Sequence, residues 1–148
     1  MTSPGTFEYV GPQWLEAVAA IVADLLGDDP GPLDYCVCED LTSPPPGRAN
    51  TPAGTLSWSI HFHTDGTVVG AGSPATADLR IVADYAVHHA LSRQIWAGDP
   101  EIMAAAQQRR RSATAAGELR IEGDMSAAPD PIRRLIAQLH DPVAEITA

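Results

Sequence analysis

Strict alternation of apolar and polar side chains in residues 55–63, TLSWSIHFH, predicts a β-strand. Its apolar face carries Leu56, Trp58, Ile60 and Phe62. Its polar face carries Ser57, Ser59, His61 and His63. A period of two is typical of a strand with one buried face. Asp65-Gly66 is a hairpin turn signal, so residues 67–71 are predicted to return as the partner strand.

Three further segments are predicted as strands: residues 33–41, 78–83 and 118–122. The first of them contains two alternating sets, Tyr35, Val37 and Glu39 against Cys36, Cys38 and Asp40. The proline-rich segment 42–54 is predicted as an extended loop that is either functional or partly disordered.

Four segments have the apolar spacing and boundary residues of helices: residues 13–26, 85–97, 100 to about 111, and 132–140. Asp84 is the predicted N-cap of the second helix, and Gly98 its terminator. Between the first helix and the first strand, the stretch 28–32 (DDPGP) breaks the chain. A run of strands before the central helices favours an α+β fold with a mainly antiparallel sheet. The length of 148 residues fits a single domain, residues 1–148.

The helix predicted over 85–97 has two apolar faces. One face carries Val87, Ala90, Leu91 and Ile95. Tyr85 and Trp96 lie on nearly the opposite face. Packing against another helix explains two such faces, and so does a helix that closes a pocket or meets a subunit. The pattern leaves these alternatives open.

Composition narrows the classes of partner. The net charge is −10, and residues 1–47 hold eight acidic residues and no basic one. Such a surface repels phosphate backbones and anionic headgroups, so neither nucleic acid nor stable membrane insertion is expected. No apolar run approaches the roughly 20 residues of a membrane span, and the N-terminal stretch MTSPGTFEYVG does not resemble a signal peptide. We therefore expect a cytoplasmic protein.

Candidate chemistry is sparse. His61 and His63 share a strand face in a spacing that can ligate a metal, but no third ligand stands out, so a solvated polar face is favoured. The run Arg109–Arg111 is interpreted as a solvated helix end, with an anion site as the alternative. Neither a nucleophile motif nor a phosphate-binding loop occurs. We predict no catalytic residues, no metal site and no cofactor.

The order of motifs from residue 37 to residue 124 resembles the sterol carrier protein 2 (SCP2) family. The hairpin WSIHFHTDGTVVGAG leads into ADLRI, a helix ends at Gly98, and GELRIEGD (117–124) is similar to the family's G-x-L-x-I-x-G-D strand. The resemblance implies a five-stranded, mainly antiparallel sheet covered on one side by about four helices. It also implies an apolar cavity for sterols, fatty acids or acyl-CoAs. The loop 42–54 and the stretch 98–117 are longer than the family pattern.

From the strand face and the helices 85–97 and 132–140 we predict which residues contact a hydrophobic small-molecule or lipid ligand. They are Trp58, Ile60, Phe62, Val87, Leu91, Ile95, Trp96, Met103, Leu135 and Leu139. The leading hypothesis is a protein that binds or carries such a ligand. The alternatives are a small enzyme acting on a hydrophobic substrate in the same cavity, with His61, His63, Asp84 or His89 as acid–base groups, and an interaction module that forms a homodimer or docks a larger lipid-metabolism enzyme.

Overall fold

The computed structural model of the chain describes residues 5–28 and 31–148. Asp29 and Pro30 of the predicted chain break, and the first four residues of the N-terminal stretch, lie outside the described residues. The strands are β1 (Asp34–Thr42), β2 (Leu56–His63), β3 (Gly66–Ala71), β4 (Leu79–Asp84) and β5 (Leu119–Gly123). The helices are α1 (Pro12–Leu26), α2 (Tyr85–Ser92), α3 (Pro100–Ala115) and α4 (Asp130–Ile146), with a short 3₁₀ turn at Met125–Ala127.

The five strands form one sheet in the order β3-β2-β1-β4-β5. Neighbouring strands run antiparallel except β1 and β4, which run parallel at the centre of the sheet. The α+β class and the mainly antiparallel sheet expected from the sequence are therefore confirmed. β1 is central, because it pairs with β2 along one edge and with β4 along the other.

One face of the sheet is apolar and lies under the helices. Register places Val37, Ile60 and Val69 side by side across three strands, with Leu79 beyond them. The predicted apolar face of β2 is buried at all four positions: Leu56, Trp58, Ile60 and Phe62. Helix α1 packs against β3 and α4, α2 against β1 and β4, and α3 against β5. The cavity described below lies within this layer.

Helix boundaries differ from the predicted ones. Helix α2 ends at Ser92 rather than at residue 97. Arg93 N and Gln94 N still donate to carbonyls of the last helical turn, whereas Trp96 N and Ala97 N both donate to the Asp141 carboxylate at 2.9 Å. Two helices are longer than predicted. α3 continues to Ala115, with Ala106 and Ala113 buried, and α4 continues through Pro142 to Ile146, where Phe7 N donates to the Ile146 carbonyl at 2.7 Å.

The loop between β1 and β2 is anchored rather than loose. The Asn50 side chain donates to the Ser57 carbonyl at 2.9 Å and accepts from the Ser57 N–H at 2.8 Å, and Arg48 donates to the Tyr9 carbonyl at 2.7 Å.

None of the helices in the described part of the chain combines the length and apolar character that a membrane span requires.

Candidate functional site

A cavity of about 210 Å³ lies between the helix-covered face of the sheet and the helices. Its apolar lining consists of Trp14, Trp58, Ile81, Trp96, Ile136, Leu139 and Val143. Its polar lining consists of Tyr9, Glu39, His88, Ser92, Arg110 and His140. The cavity is therefore amphipathic rather than purely apolar.

Three tryptophans, Trp14, Trp58 and Trp96, belong to the apolar wall. Trp14 meets Trp58 edge to face, with ring centroids 4.9 Å apart, and its indole N–H donates to Thr147 Oγ1 at 2.9 Å. The indole nitrogens of Trp58 and Trp96 are buried, and neither has a hydrogen-bond acceptor among the described residues. Buried donors are normally satisfied by protein, water or ligand. Both tryptophans line the cavity, so two buried N–H groups without an acceptor among the described residues lie on its lining residues.

A carboxylate and an imidazole meet inside the cavity. Glu39 lies on the helix-covered face of β1, where its register partners are Trp58 and Ile81. His88 of α2 forms an ion-pair contact with Glu39 through Nε2 and Oε2, and only about 15% of each side chain is exposed. Oε2 receives no bond of hydrogen-bond geometry from the described residues. Ion pairs in such apolar surroundings are costly to desolvate, so their retention often marks a functional role.

Tyr9 and Ser92 extend this polar end. Their hydroxyl oxygens lie 3.2 Å apart at hydrogen-bond distance. Burial raises the pKa of the Tyr9 phenol well above its ordinary value, and the nearby negative charge of Glu39 raises it further. Tyr9 is thus a neutral hydroxyl at neutral pH and can both donate and accept.

The segment 93–99, between α2 and α3, covers another side of the cavity. The Trp96 ring stacks on His140 with centroids 3.4 Å apart and planes 10° apart. His140 Nε2 is placed 2.7 Å from the Gln94 carbonyl oxygen and must donate to it. Burial lowers the pKa of His140 by more than its hydrogen bond to Gln94 and the negative charge of Asp141 raise it, and the nearby Arg110 lowers it further. His140 is therefore neutral at neutral pH, with Nδ1 left as an acceptor.

The structure distributes the ten predicted ligand-contact residues over three environments. Trp58, Trp96 and Leu139 line the cavity. Five are core side chains: Ile60, Phe62, Val87, Leu91 and Leu135. Ile95 and Met103 are 40% and 42% exposed, because α2 ends before the former and α3 buries mainly its alanines. Ligand contact by these residues stays a prediction.

Sequence reasoning missed the charged members of the cavity. The alternation in β1 already placed Glu39 on the face of Tyr35 and Val37, so that signal was available. Arg110 was interpreted as part of a solvated helix end, whereas α3 continues past it and carries its side chain to the cavity. Of the described residues that line the cavity, none comes from the loop 42–54.

The other face of the sheet carries a separate polar network. Asp40 accepts hydrogen bonds from Ser57 Oγ at 2.7 Å and from Arg80 Nη1 at 2.8 Å. Burial alone would raise the pKa of Asp40, but the hydrogen bonds from Ser57 and Arg80 outweigh it and lower the pKa below its usual value. Beside it, burial and the Asp40 charge raise the pKa of the Cys38 thiol to about 12. Both cysteines are free.

Solved structures share this arrangement of strands and helices. A crystal structure of sterol carrier protein 2 superposes with a TM-score of 0.59, covering 95% of this chain and all of that one at 15% identity. The chain has the fold of sterol carrier protein 2. A solution structure of a conserved hypothetical protein from Thermus thermophilus has a TM-score of 0.54 at 14% identity, over 99% of this chain and 95% of that one. At sequence level, no family model and no curated protein matches.

The SCP2 fold explains two glycines of the GELRIEGD motif. Gly117 ends the α3 turn at φ 78°, and Gly123 adopts φ 102° where β5 meets the start of β4. A Cβ on Gly123 would lie 2.1 Å from the Asp78 carbonyl oxygen, a distance that no side chain tolerates.

Proposed function

We propose that the chain binds a small amphipathic molecule, such as a fatty acid, with its apolar part in the cavity under the helices. The observation that carries this proposal is the lining of that cavity: apolar over most of its wall, with two buried indole N–H groups on lining residues and the charged side chain of Arg110. Sterol carrier protein 2 is named for a hydrophobic ligand, and the shared fold supports the same class here. Sterols and acyl-CoAs are larger members of that class.

The volume of the cavity favours a single acyl chain over the larger sterols. Its volume of about 210 Å³ lies below the range of about 300–1,000 Å³ typical of pockets for drug-sized ligands. A sterol therefore requires more opening than a single acyl chain. Each buried methylene contributes about 0.8 kcal/mol, so affinity for fatty acids should rise with chain length and level off when the cavity is full.

The polar groups indicate an anionic head. Glu39 contacts His88, and His140 is neutral at neutral pH. Arg110 supplies the permanent positive charge of the lining. We infer that a carboxylate head lies towards Arg110 and that a hydroxyl head is bound less tightly.

Displacement of a fluorescent fatty acid by a series of unlabelled fatty acids tests the proposal. Leu139→Trp fills the cavity and should abolish binding, while Ala137→Trp adds the same ring on the exposed side of α4 and should not. A thermal unfolding curve for each variant shows that it folds. Saturable binding that survives Leu139→Trp, or none in the wild type, would contradict the proposal.

Substitutions of two arginines in α3 test whether the ligand has an anionic head group. Arg110→Gln should weaken decanoate binding at least tenfold and leave decanol binding nearly unchanged, whereas the exposed neighbour Arg109→Gln should change neither. An equal loss for acid and alcohol would reject the anionic head while leaving the apolar cavity in place.

A second candidate is an enzyme in the same cavity, favoured by the Glu39–His88 pair. A carboxylate that orients an imidazole is a common general-base arrangement. Hydrolysis of medium-chain acyl esters that is lost in both Glu39→Gln and His88→Asn would support it. Turnover unaffected by either change would exclude this pair as its source.

Homodimer formation, expected under the interaction-module hypothesis, stays a prediction.

A further inference from the structure

The open face of the sheet carries a three-residue cluster that the proposed ligand cavity does not use. His61 and His63 project from β2 on the side opposite Ile60 and Phe62. Asp34, the first residue of β1, is the register partner of His63. Pairing of β1 with β2 therefore supplies the third ligand that the sequence spacing did not reveal. We call these three residues the Asp34–His61–His63 cluster.

The donor atoms of the cluster converge. One atom from each residue lies within 4.8 Å of the other two. His61 Nε2 is 3.5 Å from Asp34 Oδ1, and the two imidazole rings have centroids 3.7 Å apart. Around a tetrahedral zinc ion, ligand atoms about 2.0–2.2 Å from the metal lie about 3.3–3.6 Å from one another. His61 Nε2 and Asp34 Oδ1 are already at this distance. Side-chain rotations that close the remaining separations, now within 4.8 Å, by roughly an ångström bring all three donors into range.

The residue types fit a transition-metal ion. Two neutral imidazoles and one carboxylate match the donor set that zinc accepts with one position left for water. The side chains of His61 and Asp34 are 39% and 90% exposed, so an ion can reach them without unfolding the sheet. The net charge of −10 favours the approach of a cation. The cluster also borders a groove formed with the hairpin turn 64–67, which leaves room for an exchangeable ligand.

We propose that the Asp34–His61–His63 cluster is a binding site for one divalent transition-metal ion such as Zn²⁺, on the face of the sheet opposite the ligand cavity. The site is independent of the proposed lipid ligand, because no residue lines both places in the described part of the chain. An exposed site with three protein ligands is suited to reversible binding.

Calorimetric titration of Zn²⁺ into chelator-treated, tag-free protein at neutral pH tests this site. The wild type should bind one equivalent, and each of His61→Ala, His63→Ala and Asp34→Asn should weaken the affinity at least about tenfold. His89→Ala and Asp24→Asn remove the same residue types away from the cluster and should bind like the wild type. Unfolding curves without metal check that every variant folds.

Co²⁺ provides a second readout. Its visible absorption bands should appear with one equivalent of Co²⁺ in the wild type and be absent in His63→Ala. The proposal is overturned if Zn²⁺ binds only at millimolar concentration, or if the affinity is the same in the cluster variants as in the controls.

Discussion

At the residue scale, the cavity is shaped by a carboxylate in an apolar layer. Glu39 lies between Trp58 and Ile81 on neighbouring strands and reaches His88 of α2. The strand alternation predicts its side of the sheet, because a period of two leaves no other choice. Its partner was not predictable, since the rotation of α2 over the sheet is decided by packing far along the chain.

Because of Asp40, the free energy of unfolding should decrease as the pH falls into the acid range. Its folded pKa is lowered, so the carboxylate stabilises the fold fully above the unfolded value of about 4 and progressively less as the pH falls through the folded pKa. Asp40→Asn should cost up to about 3 kcal/mol at neutral pH, because Arg80 loses its buried partner. Urea unfolding from pH 7 to acid should show the gap to the wild type shrinking.

The exposed Asp24→Asn on α1 is the control for that series. Its unfolding free energy should follow the wild type at every pH. A gap for Asp40→Asn that stays constant down to strongly acid pH would mean that the Asp40 charge is not what stabilises the network.

Cys38 should be unreactive in the folded protein. Only the thiolate attacks a disulfide reagent, and a pKa of about 12 leaves almost none of it at pH 8. Labelling with a chromogenic disulfide should be slow for the folded wild type and complete in urea. An added surface thiol, Ala137→Cys, should react at once. Fast labelling of Cys38 in the folded state would contradict the raised pKa of its buried thiol.

At the element scale, the strands were predictable and the helix ends were not. Strands β2 and β5 follow from alternation and from the glycines around them. Helix α2 stops at Ser92, and beyond it Asp141 of the distant helix α4 accepts hydrogen bonds from the backbone N–H groups of Trp96 and Ala97. Apolar spacing within 85–97 carries no information about that contact. Four predicted ligand residues lie in this region, and two of them, Ile95 and Trp96, fall outside the helix.

The two backbone hydrogen bonds to Asp141 should hold the segment 93–99 in place. Asp141→Asn replaces one of the two carboxylate oxygens by a donor, so one of the two bonds is lost. Amide hydrogen exchange at Trp96 and Ala97 should become at least tenfold faster. Because Trp96 of this segment lines the cavity, we expect association of a fatty acid to accelerate as well. Glu145→Gln, exposed on the same helix, should change neither rate. Unchanged exchange in Asp141→Asn would show that the stack of Trp96 on His140 suffices to hold the segment.

Gly123 should tolerate no side chain. Gly123→Ala brings a Cβ against the Asp78 carbonyl and imposes a left-handed conformation, so we expect a loss of more than about 1 kcal/mol in unfolding free energy. Gly70→Ala in β3 meets nothing within 4 Å and should be neutral or slightly stabilising. Equal stabilities of the two variants in urea would contradict the described junction of β4 and β5.

At the scale of the whole molecule, the two faces of the sheet carry different kinds of site. Helices cover the face that holds the amphipathic cavity. The opposite face is polar, with the Asp40–Arg80 network at one end of β1 and the Asp34–His61–His63 cluster at the other. The order of elements along the sequence predicted the fold because hairpin, helix and closing strand are all local signals. The small volume and charged lining of the cavity depend on how α2, α3 and α4 lie together, so sequence did not reveal them.

The most direct test of the central claim is a crystal structure of the protein with an ω-brominated decanoic acid. Anomalous scattering locates the bromine, and hence the end of the acyl chain, without relying on the shape of weak density. We expect one bromine peak within the cavity, among Trp58, Leu139 and Val143, with the carboxylate towards Arg110. A saturated crystal with no peak there, or with bromine only on the polar face of the sheet, would contradict it.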